Sequence, residues 1–308
     1  MNIVNEFERK HMLDYKPNTI INYKINMREF LDFAKSYLGL DVDDDSLVMK
    51  QANWDCCMEF RNNLYKQGLT ETSINRKLSA MRTLFKFAIT KGYIQDNPST
   101  QVSNLSTKHI SQHTEYLTED ELAQLLRTIQ TKTVGARNFD FISKRDMFLY
   151  LLLATSGLRI EEAMNLKASD FDFENYEVRV IGKGGKLRYV PIDDLVKTWY
   201  DKYMVERTLL DIRNMIQDDC KSYIFLSHQG KRLTTRVSNS NLAKYCQRAN
   251  IKVISNHALR HTFATIQMER NTHAMVICEI LGHSDVRTTK RYTHARREVM
   301  HKNVGVRL

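Results

Sequence analysis

Apolar residues recur at helical spacing from Pro17 to Tyr37, where Ile20, Tyr23, Met27, Phe30, Leu31 and Ala34 mark one stripe. The segment is expected to be an amphipathic helix. Pro17 suits its first turn, where a missing N–H costs nothing. An acidic loop, Asp41 to Asp45, is expected next. A second helix is expected over Trp54–Lys66, stopping at Gly68. A third is expected over Glu71–Lys91, with Ile74, Leu78, Met81, Leu84, Phe85 and Ala88 inward and Gly92 as its C-terminal stop. Residues 1–98 therefore predict a small all-α domain, closed by Asn97-Pro98.

Residues 99–115 are polar, Ser/Thr-rich and without period, and predict a linker. The catalytic-side domain is expected over 116–308. Thr118 followed by Glu121 has the form of a capping box. From Phe148 to Leu166 the chain predicts two strongly apolar helices broken at Ser156-Gly157. Two β-rich runs, Glu177–Ile181 and Leu187–Ile192, flank Gly182-Lys183-Gly184-Gly185-Lys186 and predict a hairpin. Further helices are expected at 194–216, 237–249, 257–270 and 273–281. A last one is expected from after Ser284 to about Tyr292. The chain carries no internal repeat.

Composition adds to this picture. Only 3 prolines and 11 glycines occur in 308 residues, which favours helix. The formal net charge of +10 suits an anionic partner, nucleic acid first. Residues 1–110 hold 15 Lys+Arg against 13 Asp+Glu, while residues 111–308 hold 31 against 23. The positive excess thus sits mainly in the second domain. Cys56, Cys57, Cys220, Cys246 and Cys278 form no C-x-x-C pair and no zinc spacing, which suits a reduced, cytoplasmic protein. No apolar leader opens the chain, and the run Phe148–Ala154 is too short to span a bilayer. No membrane association is expected.

Five local strings carry candidate chemistry. They are Gly157-Leu158-Arg159-Ile160-Glu161-Glu162, Gly182-Lys183-Gly184, His257-Ala258-Leu259-Arg260-His261, Leu281-Gly282-His283 and Lys290-Arg291-Tyr292-Thr293-His294. Each is weak alone. His257 and Arg260 stand three apart, so one helical face presents both.

In order and spacing these strings resemble the tyrosine recombinase/integrase family, which includes phage integrases and Xer recombinases. The resemblance covers residues 17 to about 300 and is densest from Leu117 to His294. The family pattern of Arg, Lys, His-x-x-Arg, Gly-His and Tyr falls on Arg159, Lys183, His257, Arg260, His283 and Tyr292. It implies a mainly α fold: a SAM-like core-binding domain, then a mostly helical catalytic domain with a small antiparallel sheet. It also implies DNA strand transfer through a 3′-phosphotyrosine formed by Tyr292. Arg159 and Arg260 have planar forks suited to phosphate. His257 and His283 can add hydrogen bonds, and His257 is also a candidate base. A phenol titrates near pH ~10 and needs such help to act as a nucleophile. The resemblance gives Lys183 the role of leaving-group acid, with Lys186 ranked second. Glu162 is expected to orient the cationic groups, and Glu161 to face solvent. His261, His294, Arg287, Lys290 and Arg291 are expected to be structural or solvent-facing. No cofactor, metal or ATP is implied.

DNA contacts are expected from the third N-terminal helix, at Ser73, Arg76, Lys77, Ser79, Arg82, Thr83 and Lys86. In the second domain they are expected at Lys231, Arg232, Thr235 and Arg236, before a helix. The resemblance implies double-stranded DNA with inverted-repeat core sites as partner, and a homotetramer on two sites. Residues 295–308 are either a segment that docks on a neighbour or a loose basic tail. With the first domain starting almost at once, a two-domain enzyme of integration, excision, transposition or dimer resolution is expected, without an arm-binding domain. The competing readings are a type IB topoisomerase-like nicking-closing enzyme and a catalytically silent DNA-binding regulator.

Overall fold

The computed structural model describes residues 2–15, 17–106, 115–131, 138–182 and 185–282. The chain divides into two compact units, Met1–Ile110 and Ser111–Leu308.

The first unit is all helix. The expected helices stand as α2 (Pro17–Leu38), α4 (Trp54–Lys66) and α5 (Glu71–Thr90). Their predicted stripes form its core, where Phe30 meets Phe60 and Phe85 edge-on at 5.2 and 5.5 Å. Two helices were not foreseen. α1 (Ile3–His11) is capped by Asn2, whose side chain accepts from Asn5 N, and buries Ile3, Val4 and Phe7. α3 (Asp45–Gln51) starts inside the acidic run expected as a loop. Asp44 caps it by accepting from Ser46 N at 3.0 Å. Asp45 is buried and accepts from Ile3 N at 3.1 Å, so it ties α1 to the unit. A cluster of Asp reads as solvated loop, yet two of these carboxylates satisfy helix N-terminal N–H groups.

The expected linker 99–115 begins by packing on this unit. Val102 is buried, Arg82 donates to Val102 O and Asn104 Oδ1, and the Asn75 amide brackets Leu105 N and O at 2.8 and 2.9 Å.

The second unit is built round one helix. The Thr118 hydroxyl accepts from Glu121 N at 3.2 Å, and the Glu121 carboxylate accepts from Thr118 N at 2.8 Å. This capping box opens α6 (Glu119–Gln130). α7 (Phe139–Ser156) is buried almost throughout, with a wholly apolar run Met147–Ala154 apart from the Tyr150 hydroxyl, as suits a central helix. It packs against α6, α9 (Asp194–Ile212) and α11 (Asn256–Glu269). The short α8 (Ile160–Met164) follows α7 after a break at Gly157. β2 (Glu177–Ile181) and β3 (Leu187–Pro191) form the expected hairpin, and β1 (Phe171–Asp172) adds a third antiparallel strand in the order β1-β2-β3. α10 (Thr235–Arg248) and α12 (Ala274–Leu281) are the remaining described α-helices. α9 stops earlier than its apolar pattern suggests, because Asn214 adopts a left-handed backbone at φ 52°. The helix expected from 284 to Tyr292 lies outside the described residues. Among the described residues no helix is long and apolar enough to cross a membrane.

Candidate active site

The site begins where α7 ends. Gly157 caps that helix at φ 63°, in the left-handed region. A Cβ there would lie 2.5 Å from Phe263 Cδ1 and 2.7 Å from Leu281 Cδ2, so only glycine lets the chain turn so close to α11 and α12. The turn delivers Arg159 as the N-cap of α8. Glu162, one turn on, reaches back. Its Oε2 accepts from Arg159 N at 2.9 Å and its Oε1 from Arg159 Nη1 at 3.0 Å.

A second arginine holds the same carboxylate. Arg188 of β3 donates from Nη1 to Glu162 Oε1 at 3.0 Å and from Nη2 to Oε2 at 2.8 Å. This is the fork geometry that makes arginine–carboxylate pairs strong. Burial pushes the Glu162 carboxyl up, but the Arg188 and Arg159 bonds outweigh it and hold the carboxyl below its usual range. Glu162 is therefore ionised at neutral pH.

α11 brings the third guanidinium. Arg260 is buried, and its Nη1 and Nη2 donate to Gly157 O and Leu281 O, each at 2.7 Å. It thereby pins the end of α7 to the end of α12. Burial first, and then the nearby Arg159, lower its guanidinium to about 10, which leaves it protonated at neutral pH. His257, one turn earlier on α11, is exposed and sits edge-on to His261 at 4.7 Å. Burial of part of the ring, Arg260 and Arg159 together lower its pKa below 6.5, so it is neutral at neutral pH. A neutral imidazole can accept a proton, whereas a charged one cannot.

Arg159, Glu162, Arg188 and Arg260 together carry two positive charges. The Arg159 side chain is 37% exposed, which leaves the cluster open to an incoming anion. Lys183, His283 and Tyr292 lie outside the described residues. In sequence, Lys183 follows Gly182 at the end of β2, and His283 follows Gly282, which closes α12 at φ 65°. Lys186, the second-ranked lysine, is exposed, and its carbonyl accepts from Gly182 N at 2.8 Å.

Sequence reasoning missed Arg188. The signal was present: Arg188 pairs with Val180 and shares a strand face with Val190, both buried. A charge at an inward position of a strand calls for a buried partner.

The residues expected to touch DNA fall into two groups. On α5, Arg76, Ser79 and Lys86 are exposed, and with Thr83 they share one helix face by spacing. Lys77 instead pairs with Glu29, Arg82 is spent on residues 102–104, and Ser73 meets the Thr70 cap. In the second unit Lys231 and Arg236 are exposed. Arg232 stacks on Tyr223 at 3.7 Å and donates to Met164 O and Asn165 Oδ1, capping α8 from its C-terminal end. Thr235 donates to Glu161 Oε1 at 2.9 Å.

These features place the chain in a known class. Residues 115–298 match the phage integrase family, and residues 2–110 match the phage integrase SAM-like domain. Relatives cover nearly the whole chain. Tyrosine recombinase XerC of Oceanobacillus iheyensis is 30% identical over 92% of this chain and 87% of its own length. Tyrosine recombinase XerD of the same organism is 31% identical over 90% and 87%. XerC of Bacillus pumilus is 31% identical over 94% and 90%. Among solved structures, XerH bound to a palindromic difH substrate is similar in fold, with TM-score 0.66 and 21% identity over 92% of this chain and 76% of that one. A lambda integrase dimer bound to a core site aligns with TM-score 0.65 and 17% identity over 95% and 98%.

The chain belongs to the phage integrase family. It is a site-specific tyrosine recombinase, an enzyme of DNA strand transfer.

Proposed function

We propose that this recombinase cuts double-stranded DNA through attack of the Tyr292 phenol oxygen on the scissile phosphate. The new Oη–P bond forms as the P–O5′ bond breaks, leaving a 3′-phosphotyrosine and a free 5′-hydroxyl. His257 takes the phenol proton, and Lys183 gives one to the departing 5′-oxygen. Arg159 and Arg260 stabilise the charge that builds on the non-bridging oxygens, with hydrogen bonds from His283. In the second step a partner strand's 5′-hydroxyl attacks the phosphotyrosine, and the proton transfers reverse. Each step exchanges one phosphoester for another, so the pair is close to isoenergetic and draws no energy from a nucleotide.

One observation carries this reading. Glu162 holds Arg159 and Arg188, Arg260 lies within electrostatic reach of Arg159 and Glu162, and the neutral imidazole of His257 stands near Arg159 and Arg260, with Arg159 and His257 accessible. Such a cluster suits a phosphodiester and gives a phenol the electrostatic help it lacks.

The DNA partner is read as a duplex with inverted-repeat core sites. Four protomers work on two such sites, with residues 295–308 docking on a neighbour. Arg76, Ser79, Thr83 and Lys86 of α5 are the described DNA-contact candidates of the first unit, and Lys231 and Arg236 are those of the second. Lys77, Arg82 and Arg232 act through the protein contacts they make. The reaction takes place in the cytoplasm, on DNA that is being integrated, excised or resolved.

The test is covalent trapping. Wild-type protein is incubated with fragmented host DNA, denatured, and the attached strands are sequenced. The expected result is one recurrent core sequence, attached through its 3′ end, and no adduct from Tyr292→Phe despite retained DNA binding. An adduct formed by Tyr292→Phe contradicts the assignment. Relaxation of supercoils without exchange between two sites would favour a nicking-closing enzyme instead.

A further inference from the structure

We infer that Arg188 is a positioning residue of the recombination site, acting through Glu162 on Arg159. The inference rests on the proposed phosphate-binding role of Arg159.

Arg188 joins three separate parts of the fold. Its fork grips both oxygens of Glu162 at 3.0 and 2.8 Å, and its Nε donates to Ile280 O at 3.0 Å. The first contact fixes α8, the second fixes the last turn of α12, and the side chain itself springs from β3. These are the elements next to Arg159, His283 and Lys183 in the chain. One guanidinium thus braces the three elements that lead into the site.

The surroundings are shaped for it. A Cβ on Gly182 would lie 3.2 Å from Arg188 Nη1, and one on Gly282 would lie 3.3 Å from its Cδ, Nε and Cζ. Two glycines far apart in sequence therefore leave the space in which this side chain lies. Arg188 itself is 15% exposed and Glu162 7%, so the pair is screened little by water. Removing one member of a buried pair leaves the other charge uncompensated.

The chemical consequence follows from sharing. Glu162 Oε1 accepts from both Arg159 Nη1 and Arg188 Nη1, each at 3.0 Å. With Arg188 in place, the carboxylate is held at a fixed point and its negative charge is divided between two cations. Arg159 then keeps its direction while retaining enough positive charge for a phosphate. Without Arg188, Glu162 swings and pairs with Arg159 alone. The phosphate clamp is then both misdirected and partly neutralised. Lysine can meet Glu162 with one ammonium but cannot also fork it and reach Ile280 O.

The experiment uses the full chain and a suicide duplex. The duplex carries the core sequence recovered from the wild-type adduct, nicked so that cleavage is irreversible. Single-turnover cleavage, DNA affinity and thermal midpoint are measured for wild type, Arg188→Ala, Arg188→Lys, Glu162→Gln and the Arg188→Ala/Glu162→Gln double variant. Arg188→Ala is expected to cleave about 10- to 100-fold more slowly, as is usual when a supporting contact is lost. DNA affinity should stay near wild type. Arg188→Lys should recover part of the rate. The double variant should be no slower than the slower single one, because both act through one carboxylate. The acid limb of the Arg188→Ala profile, set by His257 in the wild type, should also steepen and move to higher pH, because Glu162 loses the bonds that hold its proton off and titrates beside it.

Cleavage by Arg188→Ala at the wild-type rate overturns the inference, as does a double variant whose losses multiply. If Arg188→Ala does not fold, Arg188→Lys decides: a slowed rate with unchanged affinity and a displaced acid limb supports the inference, and a wild-type rate and profile overturn it. The wild-type adduct is the internal control. Its absence would strike the proposed function, while its presence beside a normal Arg188→Ala would strike only this inference.

Discussion

Two buried arginine–carboxylate clusters of the second unit, one at Asp146 and one at Glu162, differ in every respect that matters for chemistry. In the first, Arg145 and Asp146 are 2% and 0% exposed. Asp146 Oδ1 accepts from Arg145 Nε at 2.8 Å, and Oδ2 accepts from Asn241 and from the Tyr245 hydroxyl. Arg145 Nη1 donates to Leu226 O. The charges balance one to one, and burial keeps the Tyr245 phenol protonated as a donor. In the second, one carboxylate, Glu162, is bonded by Arg159 and Arg188 with Arg260 within electrostatic reach, and Arg159 is partly open to solvent. The first cluster fastens α7 to α10 and has no use for an incoming anion. The second carries surplus positive charge at an accessible edge. Burial of an ion pair is therefore a poor guide to a site. Charge imbalance with an open edge is a better one.

The comparison can be broken most severely at Arg159. Arg159→Ala is expected to lower single-turnover cleavage about 10²- to 10³-fold, the usual cost of one transition-state donor. DNA affinity should change little, because binding is spread over many phosphates. Arg260→Ala should lose as much cleavage and also stability, since Gly157 O and Leu281 O lose their donor. Near-normal recombination by either variant would remove the distinction between the two clusters.

Asp146→Ala tests the other side. It should cost about 3–5 kcal/mol in urea unfolding, because Arg145 stays buried without its carboxylate. Cleavage per folded molecule should be unchanged. A selective loss of cleavage with normal stability would show that the first cluster also serves the chemistry.

The pH response is a smaller effect with a definite sign. His257 has a folded pKa below its ordinary 6.5. As pH falls through 6.5, the unfolded chain takes up this proton first, so folding stability declines from there until the folded value is reached. The kcat/KM profile for cleavage, which reads ionisations of the free enzyme, should hold its plateau below pH 6.5. His257→Gln should lose that acid limb. A wild-type limb centred above 6.5 would contradict a neutral imidazole beside Arg260 and Arg159.

The sequence made most of the fold legible because its strongest signals are local. The α5 stripe, the Thr118–Glu121 capping box and the β2–β3 alternation each specify structure within one or two turns. α1 and α3 escaped because they are short and charged, and only packing makes them helical: Ile3 N reaches Asp45 across the unit. The same divide runs through the site. Arg159, Glu162, His257 and Arg260 sit in recognisable strings. Arg188 does not, since its meaning depends on Glu162 and Ile280, which only the folded chain brings to it. Lys77 and Arg82 show the converse dependence on the fold. Their sequence position suggests DNA, but Glu29 and the 102–104 segment engage them first.

The smallest expected effect is none at all: EDTA should leave cleavage intact, because cations of the chain take the place of a metal on the phosphate. Abolition by EDTA would replace the arginine cluster with a metal as the source of that charge.

The most direct measurement is the identity of the residue that holds the DNA. Wild-type protein trapped on a suicide duplex, digested and read by mass spectrometry should carry the nucleotide on the peptide containing Tyr292, as a phosphotyrosine linked to the 3′ end. A nucleotide on any other residue, or linkage to the 5′ end, would contradict the account.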